Sequence, residues 1–267
     1  MHLMATRKTL ATKLGKKSSG KTKAKKASAV KTVANTTAAG PVTLSIDIGG
    51  SGLKAMLLDP LGQPLSERER VPTPAIPTPL GVLRALDKLA ERLAGFDRVS
   101  VGFPGVIKHG VTYMAVNLHP RWMRFPLAAE LKKRWKKPVR AANDADMAGC
   151  AAVKGKGVEL VLTLGTGMGG ALFVDGKLCP GLELGQHPWK WKTYEDYIGR
   201  RGLDEFGRAI WNQLLLEAIQ QTEELFNWDH LYLGGGNAKK ITAKLPKNVS
   251  IVSNQLGLVG GVALWRD

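Results

Sequence analysis

Apolar positions recur along the chain in two periods, and their alternation sets out the elements. Val42–Ile48 is an apolar run rich in β-branched residues, which predicts a buried strand. It ends in the turn Gly49-Gly50-Ser51-Gly52. Leu53–Leu58 and Leu65–Val71 predict two more strands, with Asp59-Pro60-Leu61-Gly62 as the turn between them. Four prolines in nine residues make Val71–Pro79 a stiff extended connector. Leu83, Leu86, Leu89, Ala90 and Leu93 fall at helical spacing, so Leu80–Ala94 reads as a helix. Val99–Phe103 is a strand closed by Pro104-Gly105. Leu127–Trp135 predicts a helix stopped before Pro138, and Val139–Ala142 a strand. Asn143-Asp144 caps a helix that reaches Val153. Leu160–Leu164 and Ala171–Val174 flank the glycine-rich turn Gly165-Thr166-Gly167-Met168-Gly169-Gly170. Leu203–Phe226 is the longest helical stretch, with a break expected near Gly207. Leu231–Leu233 is a strand leading into Gly234-Gly235-Gly236, and a closing helix covers Leu258–Trp265.

Strands alternating with helices give an α/β class. A strand running into a glycine turn occurs at 42–52, 160–170 and 231–237. The opening meander followed by strand–helix alternation predicts two related lobes around a cleft. The small lobe is expected over 41–141, closed by a C-terminal helix at 257–267, and the large lobe over 142–256.

Composition narrows the classes. The chain has 267 residues, 44% hydrophobic and 23% charged, which suits a soluble globule of one large domain or two small ones. No apolar run is long enough to cross a bilayer, and no secretory signal is expected, so the predicted setting is cytoplasmic with no membrane partner. Two cysteines, Cys150 and Cys179, exclude a disulfide framework and a four-cysteine zinc site.

The net charge of +17 is unevenly placed. Residues 1–40 carry Arg7 and nine lysines with no acidic residue, leaving +7 on the remainder. That segment holds almost nothing large and apolar, so it is expected to be a disordered basic tail with weak affinity for polyanions. The run Lys132-Lys133-Arg134-Trp135-Lys136-Lys137 and the pair Lys239-Lys240 add further cations.

A glycine turn after a buried strand lets backbone N–H groups approach an anion. One such turn ordinarily just reverses the chain. Three in one chain, two with a hydroxyl at Ser51 and Thr166, point to phosphate. No Gly-Lys-Ser/Thr follows the first two turns, which excludes a Walker loop. The first turn leads into a strand, which excludes the dinucleotide fingerprint.

These motifs resemble the ROK sugar kinases, which have the actin/hexokinase-like ATPase fold with two ribonuclease H-like lobes. The resemblance begins with Asp47-Ile48-Gly49-Gly50-Ser51-Gly52-Leu53-Lys54 and runs in order to residue 265. It includes Gly102-Phe103-Pro104-Gly105, Asn117-Leu118 with Trp122, Asn143-Asp144-Ala145-Asp146, Gly165-Thr166-Gly167-Met168-Gly169, Glu183-Leu184-Gly185 and Gly234-Gly235-Gly236. Within the family, the stretches 101–110, 163–173 and 234–240 are similar to the polyphosphate glucokinases.

The resemblance implies a kinase acting on the 6-hydroxyl of glucose or a related hexose, with polyphosphate, ATP or both as donor and Mg²⁺ as cofactor. It makes Asp144 the catalytic base. Asn117, Asn143, Glu183 and Glu195 would hold the sugar. Asp47 would hold Mg²⁺ through water. Gly49, Gly50, Ser51, Gly52, Lys54, Gly165, Thr166 and Gly167 would grip phosphates, and Gly234, Gly235 and Gly236 would pack a nucleotide's adenosine. Family habit implies a homodimer. Asp146 reads as a first-turn carboxylate favoured by the helix dipole.

Two departures stand out. Family members carry Glu-x-Gly-His, where the His contacts sugar and often zinc. Here Gln186 holds that place and His187 follows one residue late, and both are expected at the sugar site. Gln can bind a hydroxyl but is a poor metal ligand. The family's cysteine-rich zinc segment is replaced by 189–197, so no zinc is expected. Trp189 and Trp191 in that stretch fit loop packing better than a sugar face. Gln186 and the tail also suit a rival, a non-catalytic ROK-type sugar-binding regulator with a polyanion-binding tail. A second rival is a nucleic-acid-associated protein working through the tail.

Overall fold

The computed structural model describes residues 39–266 apart from Met114, Val116, Asn117, Pro180 and Asn254. Residues 1–38 of the basic segment and Asn117 of the expected sugar site therefore lie outside the described residues.

The first half of the body contributes strands β1 (Thr43–Ile48), β2 (Leu53–Leu58) and β3 (Glu69–Val71), helix α1 (Pro79–Arg92) and strand β4 (Arg98–Phe103). The short hairpin β5 (Ile107–Lys108) and β6 (Val111–Thr112) follows, then α2 (Leu127–Trp135) and β7 (Val139–Asn143). Helix α3 (Asp144–Ala152) leads into β8 (Val158–Leu164), β9 (Met168–Val174) and β10 (Lys177–Cys179). A second small hairpin, β11 (Pro188–Trp189) and β12 (Lys192–Thr193), precedes α4 (Tyr194–Ile198) and α5 (Arg200–Phe226). The chain closes with β13 (His230–Gly234), β14 (Val249–Ile251), α6 (Leu256–Val259) and a 3₁₀ segment, Gly260–Trp265.

Two five-stranded sheets repeat one plan. The first has the order β3-β2-β1-β4-β7 and the second β10-β9-β8-β13-β14. In each, three antiparallel strands form a meander and two parallel strands extend it. This is the two-lobed α/β arrangement of the actin/hexokinase-like fold. Each sheet has its own core. Leu44, Ile46, Val99 and Val101 are fully buried with Leu86 and Leu89 of α1. Leu160, Leu162, Leu231 and Leu233 are fully buried with Trp211 and Leu215 of α5.

Helix α3 touches strands of both sheets and also packs against the C-terminal segment. That segment is tied to the first sheet by hydrogen bonds. Ser45 Oγ donates to the Leu258 carbonyl at 2.6 Å and Ser100 Oγ to the Gly261 carbonyl at 2.6 Å. Trp265 Nε1 donates to Ser100 Oγ at 2.8 Å. The expected closing helix, Leu258–Trp265, is made of the end of α6 and a 3₁₀ turn that begins at Gly260.

Capping explains several boundaries. Thr78 Oγ1 accepts from Gly81 N at 3.2 Å and Pro79 opens α1, whose apolar stripe faces the sheet. The expected strand Leu65–Val71 survives only as β3. The Ser66 hydroxyl takes the Leu57 N–H at 3.0 Å and donates to the Glu67 carbonyl, replacing the ladder partner a longer strand would supply. The expected break in the long helix is real, since Gly207 sits at φ 74°, ψ 164° inside α5.

Candidate active site

The parallel strands of both sheets deliver their C-terminal ends to one cleft of about 580 Å³. In open α/β sheets this is the end at which ligands bind. Asp47 comes from β1, Pro104-Gly105 from the end of β4 and Asn143 from the end of β7. Gly165 follows β8, Gly234 ends β13 and Val252 follows β14.

All three glycine turns line this cleft. Gly49–Gly52 joins β1 to β2, Gly165–Gly167 joins β8 to β9, and Gly234–Gly236 follows β13. Among the described residues, the amides of Gly50, Ser51, Thr166, Gly167, Gly235 and Gly236 donate to no protein acceptor. Such amides, gathered on one cavity, are suited to an anion. The second turn is braced from two sides. Glu195 Oε2 accepts from Met168 N at 3.1 Å, and Asn237 Nδ2 donates to the Gly165 carbonyl at 2.8 Å.

Asp144 opens α3 where the two sheets meet. Asn143 is the cap, its Oδ1 accepting from the amides of Ala145 at 2.8 Å and Asp146 at 3.2 Å. Asn143 Nδ2 also donates to the Gly105 carbonyl at 3.3 Å, so the cap residue at the end of β7 is tied to the turn after β4. The Asp144 carboxyl is pushed up to about 7. Loss of hydration is the largest cause, followed by the negative charge of Asp47; the Ala145 N–H works against both. Burial also pushes Asp146 up to about 7, with the charge of Glu183 adding to it. Asp146 stands in the first turn of α3 as expected, but it is buried there, and dehydration outweighs the dipole. Burial and the neighbouring Glu195 raise Glu183 as well.

Lys54 Nζ lies 2.6 Å from Asp47 Oδ2, with both side chains largely covered. Glu183, Gln186 and Glu195 complete the acidic and amide lining. His187 does not join them. It is exposed, and its Nδ1 sits 3.0 Å from the Pro188 carbonyl. Trp189 stacks on Tyr194 at 4.9 Å, whereas Trp191 is 96% exposed at the tip of the β11–β12 hairpin. Dehydration, with Asp146 nearby, pushes the Cys150 thiol up. That favours the unreactive form.

Arg200, Asn237, Lys239 and Lys240 also line the cleft. The first two were not foreseen from sequence. The Arg200-Arg201 pair after Gly199 was the available signal for Arg200, but the short α4 that aims it has no periodicity to read. Arg200 N donates to the Thr166 carbonyl at 3.1 Å, so α5 starts against the second glycine turn.

Known proteins resemble the chain over most of its length. The sequence model of the ROK family matches residues 43–188. A polyphosphate glucokinase of Mycobacterium tuberculosis (strain H37Ra) is 30% identical over 227 residues, 80% of this chain and 83% of that protein. The inorganic polyphosphate/ATP-glucomannokinase of Arthrobacter sp. strain KM superposes with a TM-score of 0.78 at 34% identity, covering 84% of this chain and 98% of that one. A ROK family glucokinase of Streptomyces griseus, solved with glucose and AMPPNP, shares the fold with a TM-score of 0.68 at 20% identity. That alignment covers 84% of this chain and 98% of that one.

Proposed function

The chain belongs to the ROK family, and from that membership we propose that it is a hexose kinase. It passes the terminal phosphoryl group of polyphosphate or ATP to the 6-hydroxyl of glucose or a related hexose. One observation carries the reading: a carboxyl poised near neutrality, Asp144, shares a single cleft with three glycine turns. The first supplies a base for a hydroxyl, and the second supplies N–H donors for phosphates.

In this reading Asn143, Glu183 and Gln186 hold the sugar hydroxyls, each of which both donates and accepts. Asp144 takes the proton of the attacking hydroxyl. The sugar oxygen forms its bond to phosphorus as the bond to the leaving phosphate breaks. The turns at Gly49–Gly52 and Gly165–Gly167 meet the charge that builds on the transferred group. The N–H donors of Gly235 and Gly236 extend the donor's cradle. Asp47, hard in its oxygen chemistry and beside Asp144, would hold Mg²⁺ through water. When bound, that ion supplies positive charge against the phosphates. Lys54 already neutralises part of the Asp47 charge.

A sugar-binding regulator that no longer catalyses would have no use for a base of this pKa. The retained Asp144 and the intact phosphate turns favour the enzyme. The test is glucose 6-phosphate formation by the purified chain with Mg²⁺, with long-chain polyphosphate and ATP in parallel. Product with either donor is the expected result. Absence of product with both donors, across glucose, mannose and their amino derivatives, overturns the reading.

A further inference from the structure

The turn Gly49–Gly52 has a rear side as well as a cleft side, and the rear is held by two side chains from one short stretch. Arg70, on β3, donates from Nη2 to the Ser51 carbonyl at 3.2 Å. Thr73, at the start of the connector to α1, donates from Oγ1 to the Gly49 carbonyl at 2.5 Å. The guanidinium lies against Gly52 so closely that a Cβ there would stand 2.6 Å from Arg70 Nε and 2.7 Å from Nη2. Glycine at 52 is therefore the space into which Arg70 fits. Neither Arg70 nor Thr73 lines the cleft.

The consequence follows from peptide geometry. In a trans peptide the C=O and the N–H of one plane point in opposite directions. Drawing the Gly49 carbonyl to the rear turns the Gly50 N–H forward, and drawing the Ser51 carbonyl to the rear does the same for the Gly52 N–H. Neither amide has a protein acceptor among the described residues. A charged donor on the Ser51 carbonyl also polarises that peptide and strengthens its N–H.

We propose that Arg70, assisted by Thr73, is a positioning residue for the phosphoryl donor: it fixes the first glycine turn with its N–H groups aimed at the donor's phosphates. The idea builds on the kinase reading and concerns the donor alone, because sugar-side residues Asn143, Glu183 and Gln186 belong to other elements.

The experiment compares wild type with Arg70→Ala, Arg70→Lys, Thr73→Val, Gly52→Ala and the double variant Gly52→Ala/Arg70→Ala, all as full chains with melting temperatures recorded. Binding of tripolyphosphate with Mg²⁺ is measured by calorimetry, and KM for donor and for glucose by steady-state assay. Arg70→Ala is expected to weaken donor binding about tenfold, the loss of one charge-assisted hydrogen bond, with glucose KM within about twofold. Arg70→Lys should recover part of the loss, and Thr73→Val should lose less. Gly52→Ala displaces the same guanidinium, so the double variant should be no worse than the worse single one. Donor binding unchanged in Arg70→Ala and in the milder Arg70→Lys overturns the proposal. So does a glucose KM that moves as far as the donor KM, or additive losses in the double variant. A wild type that binds tripolyphosphate without turning over refutes the kinase reading while leaving the calorimetric comparison able to judge Arg70. A wild type that binds no tripolyphosphate refutes the proposal.

Discussion

In the proposed reaction the chemistry is concentrated at Asp144, and the environment of that residue makes two linked predictions. A base that titrates at about 7 must be deprotonated to act, so kcat/KM should climb with pH through that value and level off above it. Asp144→Asn keeps an oxygen to accept from Ala145 N but cannot take a proton. Turnover should fall by about 10²- to 10⁴-fold with sugar binding largely retained; a variant that stays active refutes the assignment. The second prediction concerns stability. The ordinary value is 3.8 and the folded value about 7. Between them the folded chain holds a proton that the unfolded chain has released. Stability therefore falls as pH rises through this window, and the charged carboxylate is a cost above it. Asp144→Asn should melt higher than wild type at pH 8, with the gap closing toward pH 4. Equal melting temperatures at pH 8 would mean that Asp144 is well hydrated.

At the scale of elements, α5 is interrupted at Gly207. Gly207 at φ 74°, ψ 164° occupies a region essentially reserved for glycine. The break separates the first turns of α5, where Arg200 N bonds the Thr166 carbonyl, from the long run buried through Trp211, Leu215 and Ile219. Gly207→Ala should cost about 1–3 kcal/mol and loosen the second glycine turn. A thermal melt and the donor KM read both effects, and a variant unchanged in both would make the kink incidental. The glycine was visible in the sequence because it interrupts a helical period. Long elements were legible for a similar reason: β1, β2, α1, α2 and β8 are apolar runs or helical periods followed within three residues by Gly or Pro. What escaped was decided by single side chains. Ser66 shortens β3 by taking the Leu57 amide, and the reciprocal Thr193–Asp196 cap starts α4 in a stretch with no apolar period. The site divides in the same way. Glycine turns and Asn143-Asp144 are local strings and could be read directly. Arg200, Asn237 and the burial of Asp146 arise from contacts distant in sequence, while His187 lost its place because one residue shifts a side chain off the cleft.

For the molecule as a whole, charge is organised around the cleft in two signs. Asp47, Asp144, Glu183 and Glu195 share its lining with Lys54, Arg200, Lys239 and Lys240. A neutral sugar can sit among carboxylates, but a polyphosphate would be repelled by them. The amides and the cations must therefore supply its affinity. Lys54 is already engaged by Asp47 at 2.6 Å and Arg200 by Asp204 at 2.8 Å. Lys239 and Lys240, both exposed next to the third glycine turn, are left as the cations most open to the donor. A linear polyanion that displaces counterions loses affinity steeply with salt. Raising salt from about 50 to 200 mM should therefore raise the KM for long-chain polyphosphate severalfold, with the KM for glucose nearly constant. Lys239→Gln/Lys240→Gln should flatten that dependence and weaken polyphosphate more than ATP, since ATP carries fewer negative charges than a long polyphosphate. If the double variant keeps the salt slope of wild type, the two lysines do not meet the donor, and the polyphosphate chain must leave the cleft by another side.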